Sequence, residues 1–174
     1  RGLTSCVTAY KANIKISHTS FKNLQCEDAL NVVNGDIYMD NSEVYGVAAD
    51  ALDSDFSTGI IKNSTFVNIG NDALDFSGST IQLQNITATN IGDKGISAGE
   101  ASTIEANKVT VDGAEYAVAS KDKSFVDITN LNTKKIRETV FGAYIKKAEY
   151  GVGTIRAYNV NNNDNNTISK CEEG

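Results

Sequence analysis

The sequence predicts an all-β fold, a single-stranded right-handed parallel β-helix (solenoid) of about seven coils, each with three short strands. Three observations predict it. Similar segments recur every 22–23 residues, apolar and polar residues alternate within short runs, and turn-forming residues separate those runs. A strand that cannot pair within its own coil pairs with the equivalent strand one repeat later. Parallel stacking of like residues is therefore expected.

The first strand of each coil carries one core apolar residue. The aligned segments are CEDALNVVNG (26–35), AADALDSDFS (48–57), GNDALDFSGS (70–79), GDKGISAGEAS (92–102) and AEYAVASKDKS (114–124). Within them, the predicted interior stack consists of Leu30, Leu52, Leu74, Ile96 and Val118. Their constant step of 22 residues is the strongest evidence for the repeat.

The second and third strands of each coil are marked in the same way. The second carries the pairs Ile14/Ile16, Ile37/Met39, Gly59/Ile61, Ile81/Leu83, Ile104/Ala106, Val126/Ile128 and Ile155/Ala157, and the third carries Phe21, Val44, Phe66, Ala88 and Val111. Two positions after each second-strand pair comes His18, Asn41, Asn63, Asn85, Lys108, Asn130 or Asn159. We expect this column to form an inaccessible ladder of amide hydrogen bonds, with His18 as a structural member.

These features resemble the pectate-lyase-like β-helix superfamily over essentially the whole chain. The segments GNDALDFSGS, GDKGISAGEAS, ASKDKSFVDI and AYIKKAEYG also look like parts of bacterial surface β-helices, some of which are attached to domains similar to spore coat protein H. The resemblance implies an extracellular or cell-surface location and an association with polysaccharide, including acidic polysaccharide. It implies no established activity.

The composition narrows the classes of partner. The net charge of −6 argues against nucleic-acid binding, and no apolar run is long enough to span a membrane. Residues 1–174 are expected to form one β-helix domain, with 159–174 as a polar tail or cap. Because Arg1 already lies inside a coil, we expect further domains of a larger parent protein to precede it.

Acidic residues are concentrated beside the core stack. One position after the core residue come Asn31, Asp53, Asp75, Ser97 and Ala119. Three positions after it come Val33, Asp55, Ser77, Gly99 and Lys121. Two positions before it come Asp28, Asp50, Asp72, Lys94 and Tyr116. Stacked carboxylates repel unless a cation or a proton relieves them. We therefore consider Asp50, Asp53, Asp72 and Asp75 as ligands of Ca²⁺, the candidate cofactor.

The resemblance implies that this face would be a sugar-binding groove. A Ca²⁺-dependent lyase would use Lys94 as its base if the pKa of Lys94 were lowered, with Asp55, Ser97 and Lys121 as substrate-binding residues. The alternative is that the acids cap turns and solubilise the rod, with Lys94 and Asp72 as a stacked ion pair. Aromatic platforms for sugar are available in Tyr38, Tyr45, Tyr116 and Tyr144.

Three functions remain open. The chain is a polysaccharide-binding or polysaccharide-associated module, a Ca²⁺-dependent polysaccharide lyase, or a structural spacer or adhesin stalk. The first is favoured, and the fragment alone is not expected to be an enzyme. Fold alone does not choose among them.

Three further expectations concern local structure. Cys6 and Cys26 lie one coil apart, and we expect buried thiols rather than a disulfide. The last coil is expected to carry an insertion at 133–142. Glu100, Lys121, Asp122, Lys123, Lys146, Lys147 and Glu149 are expected to form a surface ladder of ion pairs.

Overall fold

A computed structural model describes residues 5–163 and 167–171. These residues contain 15 strands and no helix. The strands are β1 (Val7–Tyr10), β2 (Ile14–Ser17), β3 (Ser20–Leu24), β4 (Asp28–Val33), β5 (Asp36–Asp40), β6 (Glu43–Val47), β7 (Asp50–Asp55), β8 (Thr58–Ile69), β9 (Leu74–Ser77), β10 (Thr80–Ile91), β11 (Lys94–Gly99), β12 (Thr103–Lys121), β13 (Phe125–Tyr144), β14 (Thr154–Asn162) and β15 (Thr167–Cys171). The segment expected to be a polar tail or cap thus contributes β15 and part of β14 to the sheet.

All strand pairs are parallel, and the chain winds into a β-solenoid of about six turns. The predicted interior stack is confirmed, because Leu30 pairs with Leu52, Leu52 with Leu74, Leu74 with Ile96, and Ile96 with Val118. The second-strand pairs and the third-strand column follow the predicted register as well. Each core residue of the stack is at most 1% exposed, so burial of apolar side chains is the main stabilising contribution.

The three corners of each coil are made by residues with left-handed backbone. The corner after the second strand uses His18, Asn41, Asn63, Asn85, Lys108, Asn130 and Asn159, all with φ between 49° and 59°. Asn tolerates this conformation better than most residues. The backbone conformation therefore explains why Asn recurs in this column.

The predicted amide ladder is present only in part. Asn85 Nδ2 donates to Asn63 Oδ1 at 3.0 Å, and Asn159 Nδ2 donates to Asn130 Oδ1. Asn63 Nδ2 instead donates to Asp40 Oδ1. The expectation that the column is inaccessible is wrong, because His18, Asn41, Asn63, Asn85 and Asn159 are exposed. These side chains lie on the outside of the corner, where water can satisfy their amides.

A buried serine column provides polar stacking inside the solenoid. Ser57, Ser79, Ser102 and Ser124 are 1–2% exposed. Each hydroxyl oxygen accepts a backbone N–H from the preceding coil, for example Ser57 N–H to Ser79 Oγ and Ser79 N–H to Ser102 Oγ, both at 3.0 Å. These bonds satisfy backbone donors at the corner before the second strand, where the sheet ladder is interrupted.

Two local expectations are corrected. Cys6 and Cys26 form a disulfide with a Cα–Cα distance of 5.4 Å, because Cys6 lies directly before β1 and Cys26 lies in the turn before β4, the strand with which β1 pairs. Residues 133–142 lie within β13 and add one residue there, at the register shift between the pairs Ala114–Ile136 and Tyr116–Thr139, without an insertion loop. Most of the extra residues fall between Tyr144 and Thr154, since Lys121 pairs with Tyr144 whereas Phe125 pairs with Thr154.

Candidate functional site: an acidic face flanked by lysine and tyrosine

The outward surface of the first strands brings the predicted site residues together. We call it the acidic face. Its central column is Asn31, Asp53, Asp75, Ser97, Ala119 and Gly142, and its two flanking columns are Asp28, Asp50, Asp72, Lys94, Tyr116 and Thr139 on one side and Val33, Asp55, Ser77, Gly99, Lys121 and Tyr144 on the other. Parallel register aligns each column across successive coils, because like residues stack on like residues.

The aspartates of the first flanking column bind the backbone of the next coil. Asp50 Oδ1 accepts the N–H of Asp72 at 2.8 Å, and Asp72 Oδ1 accepts the N–H of Lys94 at 2.9 Å. Asn71 Nδ2 also donates to Asp50 Oδ1 at 2.7 Å. Asp50 and Asp72, two of the four proposed metal ligands, therefore accept backbone N–H groups of the next coil. This is the role that the alternative interpretation gave them, in which the acidic residues cap turns.

Lys94 is a buried, doubly paired ammonium. Its Nζ lies 3.6 Å from Asp72 Oδ1 and contacts Asp93 Oδ2, and its side chain is 10% exposed. Burial acts to lower the pKa of Lys94, but the carboxylates of Asp72 and Asp93 outweigh it and raise this pKa to about 12. The role of base required a lowered pKa, and the ion pairs produce the opposite.

The carboxylates of the acidic face hold protons more tightly than ordinary ones. Burial, followed by the neighbouring Asp55 and Asp75, raises the pKa of Asp53 to about 8. Burial also raises the pKa of Asp72 to about 7, although Lys94 opposes it. The pKa values of Asp28, Asp50 and Asp55 are raised as well, mainly by burial.

Two polar atoms of the central column lack a hydrogen-bond partner. Asp53 and Asp75 are paired in register, and Asp75 is paired in register with Ser97 on the other side. Asn31 Nδ2 donates to Asp53 Oδ2 at 2.7 Å. Asp75 Oδ1 and Ser97 Oγ, by contrast, are buried without a hydrogen bond to any residue that the structure describes. The ammonium of Lys121 lies 3.7 Å from Asp75 Oδ1, beyond hydrogen-bond distance.

Two tyrosines cover the far end of the central column. A Cβ on Gly142 would lie 2.9 Å from the Tyr116 ring and 3.6 Å from the Tyr144 ring, so the absence of a side chain there lets both rings approach the sheet. The ring centroids are 6.5 Å apart. Lys94 Nζ lies 5.9 Å from the Tyr116 ring centroid. The sequence analysis named these tyrosines as possible sugar platforms but did not predict that they meet. The repeat contains the information, because Tyr116 follows Lys94 and Tyr144 follows Lys121 one coil later in the two flanking columns.

The acidic residues are not gathered as metal ligands. Within residues 5–163 and 167–171, no three His, Cys, Asp or Glu side chains come together in a group able to hold a metal ion. Asp50, Asp53, Asp72 and Asp75 are spread over two columns, and Asp50 and Asp72 are already bonded to backbone amides. The geometry of the carboxylates therefore offers no preformed Ca²⁺ site in the part of the chain described.

Of the expected ladder of ion pairs, the structure contains one ion pair and one carboxylate that accepts backbone N–H groups. Lys147 Nζ contacts Glu100 Oε1. Asp122, which is 1% exposed, accepts the N–H groups of Lys146 and Lys147 at 2.7 Å each. Lys121 pairs with Asp75 instead of with the other members of the predicted ladder. The reason is geometric, because Lys121 lies on the outward face of β12, whereas Asp122 lies in the corner that follows it.

Two shallow depressions lie away from the acidic face. One of about 320 Å³ lies over the second strands, beside Gln82, Gln84, Glu105 and Asn107. The other, of about 410 Å³, lies at the exposed corner that includes His18, Asn41 and Asn63. No helix in the described ranges has the length and apolarity to cross a membrane.

Comparison with known proteins does not assign the chain to a family. No protein-family model matches it, and no curated protein sequence matches it. Among solved structures, it is similar to a trypsin-treated form of QnrB1, a plasmid-mediated fluoroquinolone resistance protein. The identity is 10% over 97% of this chain and 91% of that chain, with a TM-score of 0.23. A similarity at this level carries no argument about function.

Proposed function

We propose that this chain is a polysaccharide-binding β-solenoid module of an extracellular or cell-surface protein, and that the acidic face is its binding surface. The observation that carries the proposal is the packing of Tyr116 and Tyr144 over Gly142, in the same column as Ser97, two coils away, and Asp75, three coils away. Among the described residues, neither Ser97 Oγ nor Asp75 Oδ1 has a hydrogen-bond partner. Aromatic rings combined with a few convergent polar groups are typical of binding sites, and Tyr offers both an apolar ring and a polar end.

The location is supported by the Cys6–Cys26 disulfide, because disulfides persist mainly in oxidising compartments. The wider proposal is a right-handed, pectate-lyase-like β-helix with an asparagine ladder, akin to the surface segments attached to domains similar to spore coat protein H. The repeat and its parallel register support this proposal at the level of architecture.

Binding is favoured over cleavage. A lyase would need a neutral amine at Lys94, but ion pairing with Asp72 and Asp93 raises the pKa of Lys94 to about 12. At neutral pH this ammonium is protonated and can only donate. Lys94 fits a role in orienting a ligand or supporting the adjacent carboxylates better than a role as a base.

The test is affinity electrophoresis against a panel of neutral, acidic and amino-containing polysaccharides, with Tyr116→Ala and Tyr144→Ala as variants. Tyr158→Ala is the matched control, because Tyr158 is an exposed tyrosine on a second strand, away from the acidic face. We expect retardation by at least one polysaccharide, at least tenfold weaker binding in both variants, and unchanged binding in the control.

Two results would overturn the proposal. If the protein bound none of the polysaccharides in the panel, the remaining function would be that of a structural spacer or adhesin stalk. New ultraviolet absorbance from an unsaturated product would indicate a lyase. Circular-dichroism melts should accompany each variant, so that loss of binding is not mistaken for loss of folding.

A further inference from the structure

The acidic face contains more negative than positive groups. Its columns contain the carboxyl groups of Asp28, Asp50, Asp53, Asp55, Asp72 and Asp75 and the ammonium groups of Lys94 and Lys121. Asp93, Glu100 and Lys147 border these columns. Because burial raises the pKa of Asp53 to about 8, Asp53 is mainly protonated at neutral pH, and the other carboxyl groups supply the negative charge. Lys94 is engaged by Asp72 and Asp93, and Lys147 by Glu100. Among the described ion pairs, none involves Asp50, Asp53 or Asp55. The face therefore attracts positive charge and repels an acidic polymer.

The central column of the acidic face contains buried polar atoms that lack a hydrogen-bond partner among the described residues. Asp75 Oδ1 is an acceptor that receives no hydrogen bond from the described residues, and Ser97 Oγ, in a residue that is 0% exposed, forms none with them either. Ser97 alternates with the inward residues Ile96 and Ala98, so it points to the same outward face as its register partner Asp75. Burying such groups without partners is costly, and a ligand that donates to them recovers that cost.

The position of Lys121 indicates which kind of chemical group can approach Asp75 in the central column. The Lys121 side chain is 7% exposed and its ammonium is ion-paired with Asp75, but at 3.7 Å it does not form a hydrogen bond. The Lys121 side chain crosses Gly99, with its Cε 3.6 Å from the position of an added Cβ. A lysine side chain has several rotatable bonds and can swing toward solvent, which would expose Asp75 and Ser97 to a ligand.

We infer that the ligand of the acidic face is a glycan with free amino groups, and that its ammonium donates to Asp75 and Ser97 once Lys121 has moved aside. The inference rests on the proposed function and names the substrate class. An ammonium carries three donors, no acceptor and a positive charge. It thus matches both the acceptors that lack a hydrogen bond and the negative potential, and a sugar ring further along the same glycan can pack on Tyr116 or Tyr144. A neutral glycan supplies donors without charge, and an acidic glycan supplies the wrong charge.

The experiment compares three probes by isothermal titration calorimetry at pH 7 and low salt. They are a glucosamine hexamer with free amines, its fully N-acetylated counterpart, and an oligogalacturonate of the same length. The variants are Asp75→Asn, which removes the charge with little change in shape, and Ser97→Ala. The matched control is Asp127→Asn, which removes one carboxylate from the outward face of the second strands, where it pairs with Arg156.

We expect the free-amine hexamer to bind at least tenfold more tightly than the N-acetylated one. Asp75→Asn should weaken it at least tenfold, Ser97→Ala at least threefold, and Asp127→Asn should have no effect. Equal binding of the two hexamers, or tighter binding of oligogalacturonate, overturns the inference but leaves the proposed polysaccharide module intact. Equal losses in Asp75→Asn and Asp127→Asn indicate attraction to net charge alone, which also overturns it. No binding by any probe overturns the inference, and the larger polysaccharide panel then decides the proposed function separately.

Discussion

Asp72 Oδ1 accepts the backbone N–H of Lys94 at 2.9 Å and lies 3.6 Å from the ammonium of the same residue. One carboxylate oxygen thus ties together the backbone of adjacent coils and neutralises a buried charge. Asp50 makes the equivalent backbone bond one coil earlier, where the next residue in the column is Asp72 rather than a lysine. The column changes from acidic to basic at Lys94. Asp72 therefore both accepts the backbone N–H of Lys94 and forms an ion pair with its side chain.

Removing the Lys94 ammonium should destabilise the fold. Lys94→Met leaves Asp72, which is 3% exposed, without its ion partner. We expect a loss of about 1–3 kcal/mol in the free energy of unfolding at pH 8, and a smaller loss at pH 5, where Asp72 can be protonated. Urea melts measure both. Lys134→Met, whose side chain is 52% exposed beside Asp112, should cost less than about 1 kcal/mol. Equal costs for the two variants would contradict this account.

Stability should fall as pH rises, because of Asp53. Its pKa in the folded chain is about 8, above its ordinary value of about 4, so folding favours the protonated acid. This contribution is complete below pH ~4 and is lost as the pH rises through about 8. Asp53→Asn should flatten the decline and raise the melting temperature at pH 8 by about 2–4 °C, corresponding to about 1 kcal/mol. Thermal melts between pH 5 and pH 9 test this; parallel curves for the two proteins would refute it.

Calcium should leave the melting temperature unchanged. The carboxylates of the described residues form no group able to hold a metal ion. If Ca²⁺ did bind the folded chain alone, a hundredfold excess over its dissociation constant would add about 2.7 kcal/mol. We therefore expect equal midpoints with millimolar Ca²⁺ and with chelator. A midpoint that rises with the logarithm of free Ca²⁺, and no longer does so in the double variant Asp53→Asn and Asp75→Asn, would establish the calcium site.

The buried serine column should matter more than the asparagine column. Ser79→Ala removes the acceptor of the Ser57 N–H and should cost about 1–3 kcal/mol. Asn63→Leu should cost about 1 kcal/mol or more because Leu is strained at the φ of 49°, whereas Asn63→Gly, free of that strain, should cost clearly less. Urea midpoints rank the three. If Asn63→Gly were as costly as Ser79→Ala, the exposed amide bonds would have to contribute far more than expected.

Reduction should destabilise the first coils. The Cys6–Cys26 disulfide spans 20 residues, and closing a loop of that size stabilises a fold by about 3 kcal/mol. We expect a lower melting temperature with reductant, and a mass increase of two additional alkyl groups when the unfolded chain is alkylated after reduction rather than before. Cys6→Ser with Cys26→Ser should melt like the reduced protein and should no longer respond to reductant.

The core register was predictable because a solenoid converts a sequence period into contact between neighbours. Residues 22 or 23 positions apart meet in space, so the spacing of Leu52, Leu74 and Ile96 already specifies the stack. The same offset placed Asp53 next to Asp75 and Lys94 next to Asp72. These contacts run along the solenoid axis and depend only on the repeat length.

Two features could be determined only from the tertiary structure. They are the side-chain contacts between neighbouring columns of one face, and which of two successive corner residues is buried. The meeting of Tyr116 with Tyr144, and the position of Lys121 above Asp75 and Gly99, depend on side-chain conformations in neighbouring columns that the repeat does not specify. Burial was also undetermined, because a corner points one polar residue outward and the next inward. Asn63 is exposed and the adjacent Ser64 is buried, and only the path of the backbone through the left-handed corner decides which of the two meets water.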